Sequence, residues 1–239
     1  MNSISGEFED GTIEPLASKP ISRRMIYFGK LLTMAFLLFV IYSFFSLYLA
    51  GGGFLLYGSQ EGLSAALLLT PVLTVLSTLV WVGVSLVFGS WTKSSVVAAV
   101  GTIGIFIGIS MVGGIVTTVS PESGPVQNYL PGTGESGNVR GQFSEDIPVT
   151  NLSVSTGTDH IAKQFFLYTQ RPSAEVEIKE YKLQMENMGQ GGSPIEEVGR
   201  HSYPMSEALT RSLLVAIAYA VGLNLLAWFS FERADISMS

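Results

Sequence analysis

Long runs without a charged residue dominate the chain. Four of them cover residues 31–60, 62–92, 94–121 and 212–231. A helix needs about 20 mainly apolar residues to cross the roughly 30 Å of hydrocarbon in a bilayer, and every run meets that length. Since a charge at the middle of a span costs about 2.5–3.5 kcal/mol, membrane-spanning helices exclude charge in this way. We therefore predict membrane helices near 29–50, 63–89, 94–118 and 207–231.

The few basic residues near these runs predict an orientation. They are Lys19, Arg23, Arg24, Lys30, Lys93 and Arg233, and the loop at 51–61 has none. Basic residues of short loops stay in the cytoplasm, whereas long loops are translocated largely regardless of charge. We expect a multi-pass protein of the cell (plasma) membrane. Both termini are predicted to be cytoplasmic and residues 119–206 extracytoplasmic.

The segment between the last two predicted spans has a different composition. Residues 119–158 are rich in Pro, Gly, Ser and Thr, which is typical of irregular loop. Residues 159–169 have the pattern of a short amphipathic helix, with Asp159 near its start. Residues 174–179 alternate polar and apolar side chains, which favours a strand. The predicted fold is therefore an all-α integral membrane protein with four transmembrane helices and a small α+β or irregular insertion outside the membrane.

Composition excludes several classes of function. Charged residues make up 13% and hydrophobic residues 47% of the 239 positions, the net charge is −6, and cysteine is absent. Disordered chains and nucleic-acid binders need many more charges. The sequence has no phosphate-binding G-x-x-x-x-G-K-[ST] loop and no H-E-x-x-H metal motif. We expect neither enzymatic activity nor a metal or cofactor in this chain.

A pair of glycines in the third predicted span suggests helix packing. Gly104 and Gly108 form a G-x-x-x-G pattern, which lets two helix backbones approach closely. Glycine is also common in membrane helices without that role, and the sequence does not separate the two interpretations.

The segment before the first span carries the most distinctive pattern. Residues 7–30 read EFEDGTIEPLASKPISRRMIYFGK, with four acidic and four basic residues around two prolines. Ile13 and Leu16 supply an apolar face among these charges, as in a short element that docks into a partner's groove. The alternative is an amphipathic anchor on the bilayer surface, held by Arg23, Arg24 and Lys30.

This segment resembles the cytoplasmic coupling segment of ABC type-2 transporter permeases, in particular the prokaryotic branch grouped with multicopper-enzyme maturation permeases. The matching positions are Glu7, Gly11, Thr12, Glu14, Leu16, Ser18, Pro20, Ile21, Ser22, Arg23, Ile26, Gly29 and Lys30. Residues 88–95 and 231–236 are similar to the family's turn between two spans and to its ending. The resemblance covers nearly the whole chain except the external loop.

The resemblance implies a function and a division of the chain. It implies the membrane subunit of an ABC transporter, most often an exporter, that works with a separate ATPase subunit and a second permease copy or paralogue. ATP and magnesium would bind in the ATPase. The implied parts are a coupling segment (1–30), three spans (31–118), an external domain (119–206) and a last span with its tail (207–239). The implied ATPase contacts are Gly11, Thr12, Ile13, Glu14, Leu16, Ser18, Pro20, Arg23 and Arg24.

Permeases of this kind usually have six spans, with the coupling segment between the second and the third. The first two spans have no counterpart here, which is expected of a fragment, a start at a later methionine or a shortened member. A function of another class therefore stays open, namely a non-transporting membrane scaffold or accessory subunit. Such a scaffold would present residues 119–206 to an external partner.

Overall fold

A computed structural model describes residues 22–58, 63–144, 147–183 and 195–233. Within these residues, five α-helices form most of the fold. Their bounds are α1 Arg23–Tyr57, α2 Leu63–Thr92, α3 Ser95–Val119, α4 Ile161–Gln170 and α5 Met205–Arg233. Two short 3-10 helices cover Pro121–Tyr129 and Thr158–His160.

Four of the helices are long and apolar enough to cross a membrane, which confirms the four predicted spans. Their spanning segments are Arg24–Leu56, Leu67–Thr92, Ser95–Thr117 and Met205–Arg233, with mean hydropathies between 1.9 and 2.2. Local caps define where two of them begin. The Ser22 hydroxyl accepts a hydrogen bond from the Met25 amide in α1, and the Ser94 hydroxyl accepts one from the Val97 amide in α3.

Helix α2 is the central span of the structure. It packs against α1, α3, α5 and the short helix α4. In the most apolar stretch of α2, 44% of the residues are buried. In the corresponding stretch of α1, none is buried. Helix α1 therefore presents large apolar side chains on most of its circumference, as a surface in contact with lipid or with further helices does.

The insertion between α3 and α5 contains a four-stranded antiparallel sheet. The strands are β1 Ser136–Ser144, β2 Ile147–Ser155, β3 Glu175–Leu183 and β4 Ile195–Pro204, in the spatial order β2-β1-β3-β4. Helix α4 confirms the amphipathic helix predicted at 159–169, and β3 confirms the strand predicted at 174–179. The irregular loop predicted at 119–158 is wrong, since β1, β2 and a 3-10 helix occupy most of it.

The reason for that error lies in how β1 and β2 are held. Among the side chains described in these two strands, Val139 and Val154 are the fully buried apolar ones. Gly137 allows a close approach, because a Cβ there would lie 2.6 Å from Val176 Cγ1. Backbone pairing between glycine- and serine-rich strands, with irregular register, leaves little periodicity for the sequence to show.

Two apolar clusters connect the insertion to the spans. The first lies under the sheet and ends on α5, and its members are Val139, Val154, Leu167, Ala174, Val176, Ile178 and Met205. The second joins α4 to α2 and α5, and its buried members are Val80, Ile161, Leu209, Ala216 and Ala220. The insertion is therefore packed onto two spans through its helix, and its sheet lies over that helix.

Candidate functional site

Most of the predicted ATPase contacts lie outside the described residues. These are Gly11, Thr12, Ile13, Glu14, Leu16, Ser18 and Pro20. Arg23 is the first residue of α1, and its side chain also lies outside the description. The structure therefore shows where this segment joins the spans, at the start of α1.

Arg24 is the predicted contact residue whose side chain the structure describes. Its guanidinium lies 5.5 Å from the ring centroid of Trp228, and its Nη2 lies 3.6 Å from Glu232 Oε1. Both partners are near the end of α5. Because the pair is exposed, its energy is small, in the range of about 0–1 kcal/mol. Arg24 thus aligns the start of α1 with the end of α5.

Below Arg24, three spans meet in an apolar cluster that we call the inner junction. Its buried members are Tyr27, Leu86, Val87, Ala227 and Phe231. The Tyr27 hydroxyl donates a hydrogen bond of 2.9 Å to the Asn224 carbonyl, and Trp91 Nε1 donates one of 2.9 Å to Ser230 Oγ. Helices α1, α2 and α5 are therefore joined at the end where the predicted coupling segment enters.

Close packing between spans occurs at glycines other than the predicted pair. A Cβ at Gly83 would lie 2.9 Å from Leu223 Cβ, and one at Gly101 would lie 3.1 Å from the Phe88 ring. At Gly104 and Gly108, no atom of the described chain would lie within 4 Å of an added Cβ. A packing role for Gly104 and Gly108 stays a prediction for a helix of another chain.

A cavity of about 160 Å³ lies between α1 and α2, inside the spanning region. It is lined by Met34, Thr78, Trp81, Val82, Ser85 and Leu86. The Tyr42 hydroxyl, on α1, lies 3.0 Å from Thr78 Oγ1 and bridges the two helices beside the cavity. The inner junction joins them again nearer the start of α1, so the cavity lies between two fixed contacts. Its lining is apolar except for two hydroxyl groups and an indole.

The insertion reaches into the region of the spans at Trp81. Trp81 and Phe106 lie near the middle of their spans, Leu67–Thr92 and Ser95–Thr117, and their rings meet edge to face at 5.1 Å. Trp81 Nε1 donates a hydrogen bond of 3.4 Å to Asp159 Oδ1. The turn at Gly132 (φ 76°) also approaches, because a Cβ there would lie 2.6 Å from Trp81 Cζ2. A carboxylate from the insertion is thus placed beside the middle of α2.

The environment of Asp159 acts on its ionisation in two directions. Its side chain keeps an exposed surface, yet desolvation by its neighbours raises the pKa of the carboxyl above its ordinary value. Hydrogen bonds from the Trp81 indole and the Thr158 hydroxyl lower it by a smaller amount. The Ser77 hydroxyl of α2 donates a 2.7 Å bond to the Thr158 carbonyl and fixes this turn against the span.

A buried polar network ties the sheet to the start of α5. Asn128 Oδ1 accepts a hydrogen bond of 3.1 Å from the Glu135 amide, and Ser212 Oγ donates one of 2.7 Å to the Thr156 carbonyl. His201 lies between the carboxylates of Glu135 and Glu180, with Nδ1 2.9 Å from Glu180 Oε1. The network thereby holds the insertion against α5. Among the described residues, no group of three or more His, Cys, Asp or Glu side chains could hold a metal ion.

Sequence reasoning missed the contact of Asp159 with Trp81. The four uncharged runs show that no span carries a central charge of its own, but they do not show which loop residue folds back against a span. A composition signal was present, since Asp159 stands at the start of a helix whose apolar face needs a partner. That partner is α2 together with α5.

Comparison with known proteins gives one assignment. No curated protein and no solved structure gives a significant match. The family described as ABC-2 family transporter protein matches residues 1–236, nearly the whole chain. The chain therefore belongs to the ABC-2 family of transporter proteins, as a membrane permease component without catalytic activity of its own.

Proposed function

We propose that this permease couples ATP hydrolysis in a separate ATPase subunit to the export of a substrate across the plasma membrane. Two permease subunits pair, and two ATPase subunits bind on the cytoplasmic side. Closure of the ATPase dimer moves the segment before Ser22. That movement passes into the spans, whose N- and C-termini face the cytoplasm while the insertion faces outward. ATP and magnesium belong to the partner, since this sequence has no phosphate-binding loop.

The inner junction is the observation that carries this proposal. Residues 1–21 precede Ser22, the cap of α1. Within the first two turns of α1, Tyr27 is hydrogen-bonded to α5 and Arg24 makes a weaker, exposed contact with it. Trp91 fixes the end of α2 to the same part of α5. A displacement of the N-terminal segment would therefore act on three spans together. Packed side chains with hydrogen bonds between rigid helices are the kind of connection that transmits such a displacement.

The test compares two substitutions in the N-terminal segment. The chain is co-expressed with candidate ABC ATPase subunits from the same genome, and the recovery of the complex and its ATP turnover are measured. Leu16→Asp should lower both strongly, because an apolar anchor in an interface costs more than 1 kcal/mol, and often 2 or more, when it is lost. Glu14→Ala, the matched control at the rim of the same segment, should change them by less than about fivefold, since exposed charges contribute about 1 kcal/mol or less.

Membrane insertion of both variants is checked by their recovery in the membrane fraction. If Leu16→Asp keeps the parental recovery and turnover, the segment is a surface anchor and the coupling role is wrong. If no ATPase co-purifies with the parent chain either, the scaffold that presents the insertion to an external partner becomes the better assignment.

A further inference from the structure

We propose that the α1–α2 cavity, together with Trp81 and Asp159, binds an organic cation that carries a compact apolar group. This inference deepens the proposed function, because it names the class of substrate that the permease would carry. It depends on that function only for calling the ligand a substrate. The binding site itself is argued from the described residues.

The size and lining of the cavity set the apolar part of the ligand. The cavity is half open, and its volume of about 160 Å³ has room for a group of about the size of benzene. Met34, Val82 and Leu86 supply apolar walls, and Thr78 and Ser85 add hydroxyl groups. A benzene-sized ring or a short alkyl group fits such a site, as in most small-molecule sites with few polar groups.

The charge of the ligand follows from Asp159. The Asp159 carboxylate lies beside the middle of the span Leu67–Thr92, and a charge at that depth is costly unless it is compensated. Among the residues that the structure describes, no lysine or arginine forms an ion pair with Asp159. Its side chain keeps an exposed surface, so a cation from outside the chain can approach the carboxylate. A positively charged ligand group would compensate the charge there, whereas an anionic group would be repelled.

Trp81 connects the two parts of the site. The indole lines the cavity and donates its N–H to Asp159, so one side chain contacts the apolar region and the carboxylate at once. Indole faces attract cations, quaternary ammonium groups above all, and this attraction is stronger where water is excluded. Phe106 packs edge to face on the same indole and holds it in position.

The experiment measures binding to the purified full chain in detergent, without an ATPase. Trp91→Phe and Trp228→Phe leave Trp81 as the single tryptophan of the three in the sequence. The probes are 4-bromobenzyltrimethylammonium, 4-bromobenzyl alcohol and 4-bromobenzenesulfonate, whose bromine quenches indole fluorescence at contact. They share one ring and differ in charge. We expect saturable quenching by the cation, at least tenfold weaker binding of the alcohol, and no saturable quenching by the sulfonate.

Two variants locate the site. Ser85→Leu fills the cavity and should weaken binding of the cation at least tenfold, whereas Ser110→Leu on an exposed part of α3 should leave it unchanged. Asp159→Asn should bring binding of the cation down to that of the alcohol, while the alcohol is unaffected. Should Ser85→Leu fail to elute as a folded species, Val82→Phe fills the same cavity.

Equal, non-saturable quenching by all three probes, unchanged by Ser85→Leu, would mean partition into the micelle and would overturn the inference. Tighter binding of the sulfonate than of the cation would overturn it as well. The two proposals fail separately. Selective binding of the cation without a coupled ATPase would keep the binding site and remove the transport role. Coupling to an ATPase without saturable binding of the cation would keep the transport role and remove the binding site.

Discussion

At the scale of single residues, Tyr27 is the side chain that joins the N-terminal segment to the spans. It is 1% exposed, and its hydroxyl donates to the Asn224 carbonyl on α5. We predict that Tyr27→Phe destabilises the protein by about 0.6 kcal/mol, and at most about 1.7, the range measured for hydrogen bonds between membrane helices. Unfolding of the purified chain in mixed micelles of mild and denaturing detergent measures the change.

Tyr48→Phe is the matched control, since Tyr48 lies on the same helix and is 71% exposed. It should leave the free energy of unfolding within about 0.5 kcal/mol of the parent, as for most surface substitutions. Equal effects of the two substitutions would show that the bond from Tyr27 contributes nothing. The proposed transmission of movement from α1 to α5 would then depend on apolar packing and Arg24 alone.

The contrast between Tyr27 and Asp159 shows which residue roles a sequence reveals. An amphipathic run through Tyr27, before a span and among basic residues, indicates a side chain at the membrane boundary. Asp159 is separated from Trp81 by 78 positions. The sequence shows that Asp159 stands at the start of a helix whose apolar face needs a partner, but it does not identify Trp81. The charge-free spans could be predicted, because the cost of burying charge acts on each position separately. The carboxylate beside them could not, because it depends on how the insertion folds.

At the scale of helices, the packing of α2 on α5 depends on one glycine. A Cβ at Gly83 would lie 2.9 Å from Leu223 Cβ, closer than real contacts of this kind, and 3.0 Å from Asn224 Nδ2, which is tighter than most. We predict that Gly83→Val forces the two helices apart and destabilises the chain by about 1–3 kcal/mol, the usual cost of overpacking. The same mixed-micelle unfolding measures it.

Gly108→Val is the control for that substitution. It has the same change in intrinsic helix propensity, but an added Cβ there meets no atom of the described chain within 4 Å. Its free energy of unfolding should therefore stay near the parental value. If Gly108 packs against a second permease copy, as its G-x-x-x-G pattern predicts, Gly108→Val should lower the dimer fraction in crosslinking. Comparable destabilisation by both substitutions would contradict the packing of α2 on α5 through Gly83.

The elements differ in how far the sequence could predict them. The four spans were predictable because each contains a long run without charge, and the cost of charge in a membrane applies to every run separately. The ends of the spans were less predictable. Helix α1 continues through Gly51, Gly52 and Gly53 to Tyr57, which is seven residues beyond the predicted end. Strands β1 and β2 escaped prediction because their pairing is set by backbone hydrogen bonds and by β3 and α4, which lie farther along the chain.

At the scale of the whole molecule, charge separates the two ends of the bundle. One end of the bundle contains the start of α1, the turn between α2 and α3, and the end of α5. The charged residues there are Arg24, Lys93, Glu232 and Arg233. The insertion lies at the opposite ends of α3 and α5, and it packs along α2. This arrangement has one polar, basic end and one end covered by a folded domain. The positive-inside rule then favours a cytoplasmic location for the basic end.

Single cysteines test that orientation, because the sequence contains none of its own. Ser173→Cys places a thiol on an exposed turn of the insertion, and Ser237→Cys places one beyond α5. In intact cells, a membrane-impermeant maleimide should label the thiol of Ser173→Cys and leave that of Ser237→Cys unlabelled. After the membrane is permeabilised, both should react to the same extent, which controls for accessibility of each thiol. Labelling of Ser237→Cys in intact cells would place the C-terminus outside. It would also move the inner junction and the predicted ATPase contacts to the side of the membrane where no ATP is available.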